Sequence, residues 1–284
     1  MTSNKRLFLI LWLAGMAGVL SFLLVDLSGL IAALPLPEGT APPELPSPAL
    51  LKLVVMIQPA VLVSLSVLIG VWLAPKVGLH APLAEAFAER KPVMPALRPQ
   101  VFPGIVAGLA SGVAIVAVWV ITKPFLPVEF VERALEFNKF IPHAVRVLYG
   151  GFFEELLLRW GLMTFLVWIL FAIFGNRSAP AAKDEAASTD ASAPGRDVSV
   201  SRPRGIFFII AIVASAFVFG LGHLPLASVL AGGLTLPIVI YVLISNAVFG
   251  LVAGFLYWRR GLEAAMLAHI FAHVVLVAAI YFIA

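Results

Sequence analysis

Cysteine is absent from the 284 residues. That single absence excludes disulfides, thiolate metal sites and a cysteine nucleophile. Charge is scarce as well. Asp, Glu, Lys and Arg make up 12% of the chain, about half of the roughly 25% that a soluble domain carries. No basic patch is interleaved with aromatic residues, so nothing points to nucleic acid. No inverted repeat is visible, which weighs against a common transporter layout. What fills the chain instead is apolar: 62% hydrophobic residues and a mean hydropathy of +1.06. The composition predicts an integral membrane protein, all-α, a polytopic bundle of transmembrane helices.

Seven apolar runs are long enough to cross a hydrocarbon core of roughly 30 Å at 1.5 Å per residue. They are Leu7–Leu34, Leu53–Ala74, Val101–Thr122, Val147–Phe174, Gly205–His223, Leu234–Trp258 and Leu262–Ile283. The first follows Lys5-Arg6 and holds Asp26 towards its end. A signal peptide cleaved after Ala33 is the weaker reading, because the run is longer than the usual apolar region of about 7–15 residues. Gln58-Pro59 predicts a kink in the second run, and Gly104-x3-Gly108 predicts close helix packing in the third.

The connections differ in character. Pro35–Pro48 carries six prolines and predicts an extended loop. Leu83–Arg90 has Leu83 and Phe87 one turn apart, opposite Glu85 and Glu89, and predicts a short surface helix. Lys123–Arg146 is charged and predicts an interfacial segment. Residues 175–204 are rich in Ala, Ser, Asp and Pro and predict a disordered loop. Leu224–Gly233 predicts a connection or re-entrant turn. Loops 75–100, 175–204 and Arg259-Arg260 bear basic residues, 35–48 and 224–233 have none, and 123–146, which falls outside, is mixed, with four basic residues against three glutamates. Seven spans with the N-terminus inside and the C-terminus outside satisfy that asymmetry.

Several ionisable residues lie within these runs. Glu154, Glu155 and Arg159 interrupt the fourth, and a charge at the bilayer centre costs about 2.5–3.5 kcal/mol on insertion scales. Glu155 and Arg159 are four apart with the acid first, the favourable order for an ion pair. Glu154 points about 100° away and lacks that partner. His223 closes the fifth run. His269 and His273 share one face of the seventh, a spacing that suits one metal ion or two donors to one oxyanion. Counted from the ends of their runs, Glu154, His223 and His273 fall near one level, between the midplane and the outer face. His80 and His143 sit in loops without a sequence partner, and solvated surface roles suffice for them.

Glu154-Glu155-x3-Arg159, Phe219-x3-His223 and His269-x3-His273, in that order on successive spans, resemble the three motifs of the CPBP intramembrane proteases. This family comprises CAAX prenyl endopeptidases and bacteriocin-processing enzymes and is also called Abi. Gly250-x3-Gly254-x2-Tyr257-x3-Gly261-Leu-Glu resembles the family's lead-in to its last motif. The resemblance covers about Val147–Ile283. It implies residues 147–284 as a catalytic core, drawn from spans four to seven, and 1–146 as N-terminal spans with an interfacial segment.

It also implies a peptidase with Glu154 as general base and His223 holding the attacking water. His269 and His273 would serve the oxyanion, or bind zinc together with Glu154 and His223 in a metalloprotease reading. Glu155 and Arg159 would be supporting residues. The last motif position is often Asn in this family, and the His at 273 can also ligate metal. No G-x-S-x-G, H-E-x-x-H or G-x-G-D sequence offers a competing protease chemistry. The expected partners are the lipid bilayer and a substrate: a prenylated tail, a pheromone or bacteriocin precursor, or a membrane protein. The expected location is a bacterial cytoplasmic membrane. A non-catalytic membrane protein, such as an immunity factor, scaffold or transporter, is the alternative.

Overall fold

The computed structural model describes residues 2–32, 47–175 and 203–283. The elements among them are helical, with no strand. Helix α1 (Ser3–Leu20) continues as one 3₁₀ turn to Leu24, and α2 (Leu27–Ala32) follows. Then come α3 (Pro48–Val77), α4 (Pro82–Glu89), α5 (Met94–Thr122) and α6 (Val128–Phe140). Helix α7 (His143–Val145) runs on through two π-helical stretches, Arg146–Glu154 and Leu156–Met163, into α8 (Thr164–Phe174). The chain ends with α9 (Gly205–Ala231), α10 (Leu236–Arg260) and α11 (Leu262–Ile283). Among the described residues seven helical segments are long and apolar enough to cross a membrane, and the protein is an integral membrane protein. The expected extended loop at 35–48 and disordered loop at 175–204 lie almost wholly outside the described residues.

Several boundaries differ from the sequence reading, among them the third span, which starts at Met94 rather than Val101; three differ for a clear local reason. Asp26 is not inside the first span. It accepts a hydrogen bond from Gly29 N at 3.0 Å and starts α2 as an N-cap. The second span begins at Pro48 because Ser47 Oγ accepts from Leu50 N and proline suits the first helical turn. The expected break at Leu224–Gly233 is helical down to Ala231. Pro225 is carried within the helix, as membrane helices permit. The stop is Gly232, in the left-handed region at φ 68°, with Arg133 Nη1 donating to the Leu230 carbonyl at 3.2 Å.

Small residues bring the site helices together. The glycine stripe of α5 lies against α11. A Cβ on Gly104 would sit 2.8 Å from Leu267 Cβ, and one on Gly112 would sit 2.7 Å from Val275 Cβ. Gly250 and Gly254 of α10 lie against Ala216 and Ile212 of α9 in the same way. With no hydrophobic gain between helices in lipid, this close contact is what makes them associate.

The start of α11 is anchored by polar groups. Gln100 Oε1 accepts from Ala264 N at 3.0 Å. Glu263 Oε1 accepts from Ala84 N at 2.9 Å. Gly261, at φ 117°, makes the tight join to α10.

Candidate active site

The motif helix is not a regular α-helix. Glu155 sits between its two π-helical stretches. Such i→i+5 segments are rare and recur at functional sites. Both adjacent glutamates lie beside His269 of α11. Glu155 is fully buried and its Oε1 lies 3.2 Å from Arg159 Nη1, the pair expected from the spacing. The same oxygen accepts a hydrogen bond from His269 Nδ1 at 2.8 Å. Glu155 is therefore more than the neutraliser of Arg159, because it also orients a histidine of another helix.

The opposite ring nitrogen, His269 Nε2, lies 3.6 Å from Glu154 Oε2. Glu154 is not without a partner. One imidazole thus lies between two carboxylates, hydrogen-bonded to Glu155 and just outside hydrogen-bond reach of Glu154. Glu154 is the more accessible, with its side chain 17% exposed against 0% for Glu155.

Aromatic rings line the remaining sides. Phe249 packs on His269 at 4.2 Å between ring centroids. The Arg159 guanidinium lies 5.3 Å from the Phe219 ring and 5.4 Å from that of Phe249. Its Nη2 donates to the Gly250 carbonyl at 3.3 Å. A buried cation thus receives a carboxylate, a carbonyl and two π faces, which offsets its desolvation.

His273 stacks on His269, centroids 4.9 Å apart and planes 12° apart. Both rings open over Gly150, where a Cβ would stand 2.6 Å from His273 Nε2 and 3.1 Å from His269 Nε2. His223 joins more loosely. Its Nδ1 donates to the Phe219 carbonyl at 2.9 Å, leaving Nε2 free, and its ring meets Phe219 edge-on at 4.8 Å. Phe219 also reaches His269, at 6.1 Å. The structure therefore brings Glu154, Glu155, Arg159, His269 and His273 into one cluster and ties His223 to it through Phe219.

The sequence reading did not single out Gly150 or Phe249. The Gly150-Gly151 pair just ahead of two acids was the available signal for the first. Phe249 had none, being one phenylalanine among 21.

The donor set does not fit zinc as it stands. Zinc needs three or four donors converging at about 2.0–2.2 Å for nitrogen and oxygen. An imidazole lone pair lies in its ring plane, so two nearly parallel stacked rings do not aim at one point. Among the described residues no group of three or more His, Asp or Glu side chains can hold a metal ion.

A cavity of about 210 Å³ adjoins the cluster, with His273 in its wall. Trp119 and Leu276 give it apolar sides, while Arg146, Lys123 and Asn138 give it polar ones.

Comparison with known proteins bears on this arrangement. No curated protein matches the chain, and no solved structure does. A family model described as "Type II CAAX prenyl endopeptidase Rce1-like" matches residues 136–275. The matched stretch starts in α6 and ends just beyond His273, so it spans every residue of the cluster. Over residues 136–275, just under half of its length, the chain matches the Rce1-like CAAX prenyl endopeptidases, a protease family and the one that its three motifs resemble.

Proposed function

We propose that the chain cleaves a peptide bond within the membrane by glutamate-activated water, with no metal in the step. The observation that carries this reading is the setting of His269 between two carboxylates: Nδ1 hydrogen-bonded to Glu155 at 2.8 Å, Nε2 facing Glu154 at 3.6 Å. A carboxylate behind a histidine fixes its tautomer and orientation, as in other hydrolytic triads. It leaves the front nitrogen to work with the accessible carboxylate.

In this reading Glu154 takes a proton from water, and the hydroxide attacks the carbonyl carbon of the scissile bond. The proton is held between Glu154 and His269 Nε2. His223 Nε2, free because Nδ1 is bound to its own helix, steadies the water. His273 stands beside His269 at the space over Gly150 and donates to the developing oxyanion, where a low dielectric makes one donor count most. Collapse of the tetrahedral intermediate breaks the C–N bond, and the leaving amine takes the stored proton. Glu155 and Arg159 position His269 and touch no reacting atom.

Residues 147–284 are the catalytic core on this reading, and 1–146 support it. On this reading the N-terminus lies inside and the C-terminus outside, which the basic loops 75–100 and Arg259-Arg260 support. The cavity beside His273 takes apolar side chains flanking the scissile bond, and Arg146 and Lys123 suit a nearby carboxylate.

The test is cleavage of a co-expressed peptide substrate by Glu154→Gln and His223→Ala. We expect Glu154→Gln to lose at least 10³-fold, as befits the loss of a general base, and His223→Ala at least 10²-fold. Expression and thermal unfolding should stay near wild type. Undiminished cleavage by Glu154→Gln would overturn the mechanism. Loss in step with falling unfolding temperature would favour the non-catalytic reading.

A further inference from the structure

A second cavity lies away from the catalytic cluster, between α1, α4 and the turn that leads into α5. It measures about 750 Å³. Its composition is split. One end carries three cations, Arg6, Arg90 and Lys91, and the rest is walled by apolar side chains, including Leu9, Leu13 and Phe87.

The split follows the helix geometry. Arg6, Leu9 and Leu13 are spaced three and four apart, so they share one face of α1. Arg6 stands near the start of the spanning segment Ser3–Leu24. Leu13 lies about 10 Å further along it at 1.5 Å per residue. Phe87 closes the groove from α4 and is 64% exposed.

Charge at the rim is unbalanced. Lys91 pairs with Glu89, the acidic residue it meets there. Arg6 Nε is buried and has no hydrogen-bond partner among the described residues. Arg90 caps α4 in the left-handed region at φ 60°, a conformation ordinarily left to glycine. A long cationic side chain is therefore held at the groove's mouth at some conformational cost.

A groove that is cationic where the span begins and apolar along its depth matches one molecule in the surroundings of this protein. We propose that it binds an anionic phospholipid, with the phosphate at Arg6, Arg90 and Lys91 and an acyl chain laid along Leu9, Leu13 and Phe87. Basic pockets beside membrane helices hold acidic headgroups by this division of labour. A zwitterionic lipid brings its own cation and gains less. The site is independent of the proteolytic reading, because it shares no residue with the cluster around Glu154.

The experiment reconstitutes the full chain in nanodiscs of phosphatidylcholine alone or with added phosphatidylglycerol, and follows thermal unfolding and the lipid retained on detergent extraction. Wild type should unfold at a higher temperature, and retain more phosphatidylglycerol, as that lipid is added. Arg6→Gln/Arg90→Gln/Lys91→Gln should lose most of both effects while unfolding as wild type does in phosphatidylcholine. If the triple variant does not fold, Arg90→Gln alone serves. Removing one interfacial cation should weaken retention roughly fivefold.

Equal retention of phosphatidylglycerol by wild type and variant would overturn the proposal. So would an equal rise in unfolding temperature when inorganic phosphate is added to phosphatidylcholine discs, which would mark a site for the free anion.

Discussion

At the scale of single residues, the site depends as much on a missing side chain as on those present. Gly150 leaves open the space onto which His269 Nε2 and His273 Nε2 both face. Gly150→Ala fills it, placing a methyl 2.6 Å from His273 Nε2. We expect turnover to fall more than tenfold with little change in unfolding temperature, measured on the purified variant in detergent or discs.

A second residue-scale effect lies outside the membrane. His80 Nδ1 lies 3.4 Å from Glu85 Oε2, and the hydrogen bond to Glu85 raises the His80 pKa above its ordinary 6.5. The folded state then holds the proton more tightly than the unfolded one. The pair's contribution is complete below pH 6.5 and is lost as the pH rises through the raised value. His80→Ala should therefore lower stability at pH 6 and leave it unchanged at pH 9, read as unfolding temperature against pH. Both groups are partly exposed, so the difference will be small.

The Glu155–Arg159 pair was readable from a spacing of four, because one helix carries both partners. The Glu155–His269 bond was not, since 114 residues separate its ends. Nor did spacing show that Glu154 and Glu155 address the same imidazole. A regular α-helix spreads neighbours about 100° apart, so the chain order offered no reason to expect both beside His269.

At the scale of helices, packing rests on contacts too close for larger side chains. Gly108 of α5 lies directly against the backbone of Ala268, one residue before His269. Gly108→Leu forces α5 and α11 apart, at about 1–3 kcal/mol or more. It should lower the unfolding temperature and turnover together, whereas Gly150→Ala lowers turnover alone. The GxxxG pattern revealed this stripe, but hydropathy could not say which helix it faces. Span limits were legible where an apolar run meets a sharp break, as with Gly261 before α11. They were missed where caps decide, as at Ser47 and Asp26, or where proline is absorbed into a helix, as at Pro225.

At the scale of the whole molecule, the proposed route to the cluster is the cavity between α5, α6, α10 and α11, which has His273 in its wall. Ala279 lines it about 1.7 turns beyond His273. Ala279→Phe should raise KM several-fold and change kcat little, in steady-state cleavage with substrate delivered in discs. Equal falls in kcat and kcat/KM would place the substrate elsewhere.

The polar anchor of α11 has a bearing on which sequences can keep this site. Gln100 and Glu263 fix where the helix starts, and everything after them is a count. One residue added or removed between Ala264 and His269 would swing both imidazoles about 100° around the axis and shift them 1.5 Å along it. Hydropathy, length and span would all look unchanged. Descendants of this chain can exchange residues of that short buried stretch for others of like volume, but cannot change their number.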